Sequence, residues 1–201
     1  MANIVRKGYG QVEPNHLSGI VTGQIYAQLP AITTTTTGEG SSAVTTKTPM
    51  VQLEQGQFAK YDYAAGEVNF SGEGEFMLVY NEEKLYDERK QSHKDFVYKA
   101  EDFADGTMFP RLIKTDIGDI FTTNMIGAAN TTGSEAEVTI GTDATLVVGA
   151  YVAPNASTGI LTISASKPVS GMAWKIVKVY TMPDGQPGVK IQRVQWEGGN
   201  E

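Results

Sequence analysis

Cysteine is missing from the 201 residues, and histidine occurs only at His16 and His93. Without cysteine there is no thiolate metal site, no cysteine nucleophile and no disulfide scaffold. The two histidines lie far apart in the sequence, outside the short spacing that a histidine-pair metal centre uses. Long apolar runs are missing too. The best, "ATLVVGAYVAP" at residues 144–154, falls well short of the roughly 18 residues of a membrane span. "MANIVRKGYGQVEPNH" lacks the apolar core of a signal peptide, so a chain made and used without export is expected. On that expectation the Asn-x-Ser/Thr triplets at Asn69, Asn130 and Asn155 carry no meaning as glycosylation sites. Positive charge is also scarce: 16 Lys and Arg stand against 23 Asp and Glu, for a net charge of −7. That balance opposes a basic nucleic-acid face. No G-x-S-x-G elbow, phosphate-binding loop or G-x-G-x-x-G turn is present. The expectation is a protein that is not an enzyme, with no cofactor and no metal.

What the chain does contain falls into three zones. Residues 1–50 are nearly uncharged, with scattered apolar side chains and no sustained helical period. Within them, "GIVTGQIYAQL" is expected as a strand or extended segment. "ITTTTTGEGSSAVTTKTPM", with eight threonines, is expected as a flexible loop or extended linker, since β-branched threonine resists helix. Residues 51–115 are β-rich. Val51, Leu53, Phe58, Tyr61, Val68, Phe70, Phe76, Leu78 and Tyr80 punctuate polar neighbours, with Gly56, Gly66 and "SGEG" supplying turns. Residues 116–197 carry "DIFTTN", "AEVTIG", "ATLVVGAYVA" and "GILTISA", then two runs flanking "MPDGQPG" that read as a wide hairpin. The fold class expected is mainly β: small β-barrel or sandwich modules, one short helix and an extended N-terminal arm.

The most charged stretch, residues 81–106, holds eight acidic and five basic side chains together with His93. A short, exposed helix is expected over residues 84–98, with mixed charges forming i,i+4 pairs on a solvated face. Glu82, Glu83 and His93 are therefore read as surface groups. "DFADGT" is read as an ordinary Asp-Gly turn, lacking the closing glutamate of a calcium loop. Trp174 is expected to be buried, facing Ile191 or Val194 across the last hairpin.

Three segments together resemble virion proteins of tailed bacteriophages. They are "MANIVRKGYGQVEPNHLSG…TGQIYAQLP", "GQFAKYDYAAGEVNF…GEFMLVYNEEKLYDER…KDF", and "GDIFTTN" leading to "WKIVKVYTMPDGQPGVKIQRV". The chain is similar to small capsid-associated proteins of the head decoration or cement class. The resemblance implies a structural protein without an active site, placed on the capsid surface after synthesis in the host cytoplasm. The implied partners are the major capsid protein and neighbouring copies of itself, as a homo-oligomer or in many copies per particle, with neither nucleic acid nor membrane bound. Other virion parts (head-fibre base, neck or tail protein) and a carbohydrate-binding β-module are the alternatives. In the N-terminal arm, Ile4, Tyr9, Leu17, Ile25, Tyr26 and Leu29 are the expected partner contacts, laid along a neighbouring subunit.

Overall fold

The computed structural model describes residues 5–6, 9–38, 43–81, 96–127, 138–139, 147–164, 166–182 and 187–196. In chain order the elements are β1 (Val5–Arg6), β2 (Val12–His16), α1 (Ser18–Thr22), β3 (Ile25–Tyr26), β4 (Ile32–Thr37) and β5 (Val44–Pro49). There follow β6 (Gln52–Glu54), β7 (Phe58–Asp62), β8 (Glu67–Asn69), β9 (Phe76–Val79), β10 (Val97–Lys99), a 3-10 turn (Ala100–Asp102) and β11 (Leu112–Ile113). The last are β12 (Ile120–Thr123), β13 (Val138–Thr139), β14 (Tyr151–Pro154), β15 (Leu161–Ser164), β16 (Ala173–Thr181) and β17 (Pro187–Gln195). The protein is mainly β, and its sheets pack as a sandwich.

A five-stranded sheet, ordered β3-β11-β9-β7-β8, lies between two other layers. On one face Phe58, Phe76 and Leu78 pack against Phe121, Val152, Leu161, Trp174, Ile176, Val189 and Ile191 of a six-stranded sheet ordered β15-β14-β16-β17-β12-β2. On the other face Ala59, Tyr61, Val68, Met77 and Val79 pack against Leu53 and Tyr98 of the β6–β10 pair, with Met50 and Met108. This explains why β9 reads Phe-Met-Leu-Val with all four residues buried. A strand covered on both faces has no solvent side on which to place polar residues.

The six-stranded sheet curls without closing. Beyond β12, Ile126 bridges Leu161 of the opposite edge strand, and Gly127 N–H donates to the Leu161 carbonyl at 3.0 Å. Trp174 is completely buried in the concavity, its ring 5.0 Å from that of Phe121 and 5.6 Å from that of Phe58. The expected burial holds, and the hairpin of β16 with β17 is present. Its register differs from expectation: Trp174 pairs with Arg193, and Ile176 with Ile191, because a bulge between Ile176 and Lys178 shifts the ladder by one residue from the register at the tip.

The N-terminal segment is extended but docked on its own chain. β2 forms the edge of the six-stranded sheet, where Pro14 needs no ladder donor. β3 pairs with β11, and Leu17 and Ala31 are buried at 2% and 0% exposure. Between β2 and β3, "SGIVT" forms the one-turn helix α1 in place of the expected strand. Its first turn is held from outside: the Asp119 carboxylate accepts from Ser18 N–H and Ser18 Oγ, both at 2.9 Å. The threonine-rich segment is likewise not a loop. Its two runs pair from Ile32↔Pro49 to Thr37↔Val44 as an antiparallel ribbon, the arrangement that β-branched side chains favour. Val97 and Tyr98, expected at the end of a helix, lie in strand β10; residues 82–95, with His93, Glu82 and Glu83, lie outside the described residues.

Two expectations follow. Trp174→Ala should lower unfolding stability by about 3–5 kcal/mol, as for other large core aromatics. Trp174 Nε1 is buried without a hydrogen-bond partner, so Trp174→Phe, which deletes that donor, should cost far less in the same urea titration. Deleting residues 1–48 removes two edge strands and part of both apolar clusters. The remainder should show no cooperative unfolding transition by circular dichroism, and a sharp transition at the full-length midpoint would contradict the docked N-terminus.

Candidate functional site: a polar recess at the foot of the threonine ribbon

The ribbon β4–β5 leaves the body beside β8. Every residue of β5 is exposed, and in β4 only Ile32 is partly covered. A free two-stranded ribbon is marginal in water, so its order depends on its foot. There Ala31 bridges Val68, and Val68 N–H donates to the Pro30 carbonyl at 2.7 Å. Lys47 Nζ lies 2.7 Å from Glu67 Oε2, and Thr34 Oγ1 reaches Glu67 Oε1 at 3.5 Å. With Lys47 half exposed, that ion pair fixes orientation and contributes about 0–1 kcal/mol.

Glu67 belongs to a set of buried polar groups at the end of the five-stranded sheet. Asn69 Nδ2 donates to Glu67 Oε1 at 3.1 Å, while Asn69 Oδ1 accepts from Gly72 N–H at 2.7 Å. A Cβ at residue 72 would collide with both Asp62 and Asn69, so glycine alone lets the 71–74 turn close down on them. Asp62 accepts from the N–H groups of Ala65 (2.9 Å) and Glu73 (3.0 Å), tying together the turns on either side of β8. The Ala65 N–H bond is the largest influence holding the Asp62 carboxyl below its ordinary value of 3.8; burial acts in the opposite direction, and Glu73 N–H and Asn69 add to the lowering.

The far wall comes from the other sheet. The turn between β14 and β15 is capped by Asn155 Oδ1, which accepts from Ser157 N–H at 2.8 Å. Its last residue, Gly159, has φ +67°, and its carbonyl accepts from Phe58 N–H at 2.8 Å. A side chain there would strike the Phe58 carbonyl and the Phe70 ring, so the ring packs directly on bare backbone. These elements enclose a recess of about 220 Å³ whose lining includes Thr33, Met50, Asn69, Phe70, Ser71 and Ser157.

Of the residues expected to contact a partner, those described lie away from the recess and pack within the chain. Leu17 is in the inter-sheet core, and Leu29 packs on the second apolar cluster. Ile25 and Tyr26 form β3, with the Tyr26 ring 5.3 Å from Tyr61. Lys99 Nζ sits 5.3 Å from the centre of the Tyr9 ring; hydrogen bonding to Tyr9 is the main cause of its raised pKa. Ile4 lies outside the described residues. Solvent-facing aromatics occur at Tyr63, 70% exposed on the edge of Tyr61, and at Trp196, 41% exposed beneath the Arg193 guanidinium. Among the described residues no group of three or more His, Asp or Glu is placed to hold a metal ion. "DFADGT" is a turn in which Asp105 Oδ1 accepts from Thr107 N–H at 3.0 Å.

No local sequence pattern marks the recess, because its walls come from residues 33, 50, 69–71 and 157. Comparison of the chain with protein-family models, curated proteins and solved structures finds no match.

Because the folded-state pKa of Asp62 is lowered, its contribution to stability is complete above the ordinary aspartate range and is lost as pH falls through the folded value. Asp62→Asn should therefore be less stable than the parent at neutral pH, with the gap narrowing below pH 3.8 in denaturant titrations. A gap independent of pH would show that the carboxylate charge has no part in holding these turns.

Proposed function

We propose that the chain is a structural virion protein that decorates or cements the capsid shell of a tailed bacteriophage, contacting the major capsid protein and neighbouring copies of itself. The resemblance of its three segments to such proteins motivates the reading. The observation that carries it is the ribbon. Two paired strands of threonine and valine stand in water on both faces and bury almost nothing in their own molecule. Ordering such a segment costs roughly 1–2 kcal/mol per residue of backbone entropy. A neighbouring subunit that covers a face or pairs with an edge supplies the offsetting contacts. On this reading the docking element is residues 32–49, in place of the N-terminal arm.

The test uses purified particles. Quantitative densitometry should give hundreds of copies of the chain per virion; a handful would move it to the neck, tail or head-fibre base. Since Ile32 and Pro49 are paired neighbours, residues 33–48 can be replaced by a short Gly-Ser turn without disturbing the sheets. That variant should lose no more than about 1 kcal/mol of stability, the share of the Lys47–Glu67 pair, yet bind capsid shells at least tenfold more weakly. Binding at parental affinity would remove the ribbon as the clamp.

A further inference from the structure

We propose that the recess at the foot of the ribbon binds a single neutral sugar ring. Four hydroxyl-bearing residues line it, from three separate elements: Thr33 and Thr34 from β4, Ser71 from the turn after β8, and Ser157 from the β14–β15 turn. Thr34 Oγ1 reaches Glu67; Thr33, Ser71 and Ser157 are exposed, and none of these three hydroxyls is engaged in a hydrogen bond within the described residues. The partly exposed Ile32 and Phe70 supply apolar surface among them. Hydroxyl donors and acceptors around an aromatic ring match a ligand with hydroxyls at its rim and C–H groups on its face.

The chemistry disfavours other ligands. No charged side chain lines the recess, so neither an anion nor a metal cation finds a counter-charge there. A wholly apolar ligand would strip water from three hydroxyls without replacing their hydrogen bonds. The volume of about 220 Å³ lies below the roughly 300–1,000 Å³ of sites for drug-sized molecules, which limits the occupant to one ring.

The walls carrying Phe70, Ser71 and Ser157 are also set in advance. Gly159 fixes the Phe70 ring and, through the Phe58 hydrogen bond, locks the Ser157 turn to the five-stranded sheet. Asn69 spends its amide on Glu67 and Gly72 and so places Ser71. A preformed site loses little affinity to ordering. The inference does not require the capsid reading, although Thr33 belongs to both the recess and the ribbon.

Saturation-transfer-difference NMR on the full chain tests it, with glucose, galactose, mannose and N-acetylglucosamine as free probes. At least one should receive magnetisation, strongest at ring C–H protons. Ser71→Ala combined with Ser157→Ala should weaken that binding at least tenfold with the circular dichroism spectrum unchanged. Where the pair perturbs the turns, Thr33→Val on the exposed ribbon strand gives the same readout: weaker binding supports the site, and parental binding overturns it. Absence of transfer to all four sugars, or transfer unaltered in the Ser71/Ser157 variant, also overturns it.

Discussion

The hydrogen bond from Phe58 N–H to the Gly159 carbonyl, with the Phe58 ring packed 5.6 Å from Trp174, joins the two large sheets at one point. Phe58 sits on the central sheet and Trp174 in the hollow of the curled one, so the two side chains set the spacing between layers. Gly159 is required because any Cβ would push the sheets apart. From this seam the remaining layers follow. The opposite face of β7 and β9 presents Ala59, Met77 and Val79, which the β6–β10 pair covers. The N-terminal strands then close the edges left at β12 and β11.

The second constraint is polar. Arg193 is buried beside Trp174's strand, and its guanidinium donates to the Thr115 carbonyl and, at 2.9 Å, to Thr115 Oγ1. Both terminal nitrogens reach Glu75 Oε1, at 3.2 and 3.1 Å, while Lys114 lies 3.2 Å from the other oxygen of that carboxylate. A buried cation is tolerable only when paired and fully hydrogen-bonded, and here the partners come from the connections flanking β9 and β11. The same logic holds the N-terminal strand: Gly10 N–H donates to Glu54 Oε2 at 2.9 Å and Gln11 N–H to Asn124 Oδ1 at 2.8 Å. Each link spans distant parts of the sequence, so apolar packing and polar pairing specify the same register. That rigid platform is what gives the ribbon a fixed foot and the recess fixed walls.

Much of the architecture was legible from local chemistry. Gly56, Gly66 and the "SGEG" segment mark real turns, and the strands at 52–54, 58–62, 67–69, 76–79 and 120–123 fall where the apolar residues pointed. The misses have physical causes. Alternation signals one covered face, so the unbroken Phe-Met-Leu-Val of β9 was the sign of a three-layer core. Threonine's β-branched side chain not only resists helix but favours strand pairing, which makes a ribbon of the segment expected as a loop or linker. The N-terminal segment looked poor in core because its contribution is a few residues, Val12, Leu17 and Ala31, each placed by strands more than 50 residues downstream or by isolated bridges. The Trp174–Arg193 register was hidden by a bulge that no residue type announces. The recess could not be read at all, since it exists only where three elements meet.

The three layers and the N-terminal strands form one cooperative unit hung on the Phe58–Gly159 seam. Native-state hydrogen exchange measures this most directly. The amides of Phe58, of the β9 ladder and of β2 should exchange only through a common global opening, with the same free energy and denaturant dependence, while ribbon amides exchange through local opening. Exchange of the β2 amides at a separate, much lower free energy than Phe58 would contradict it.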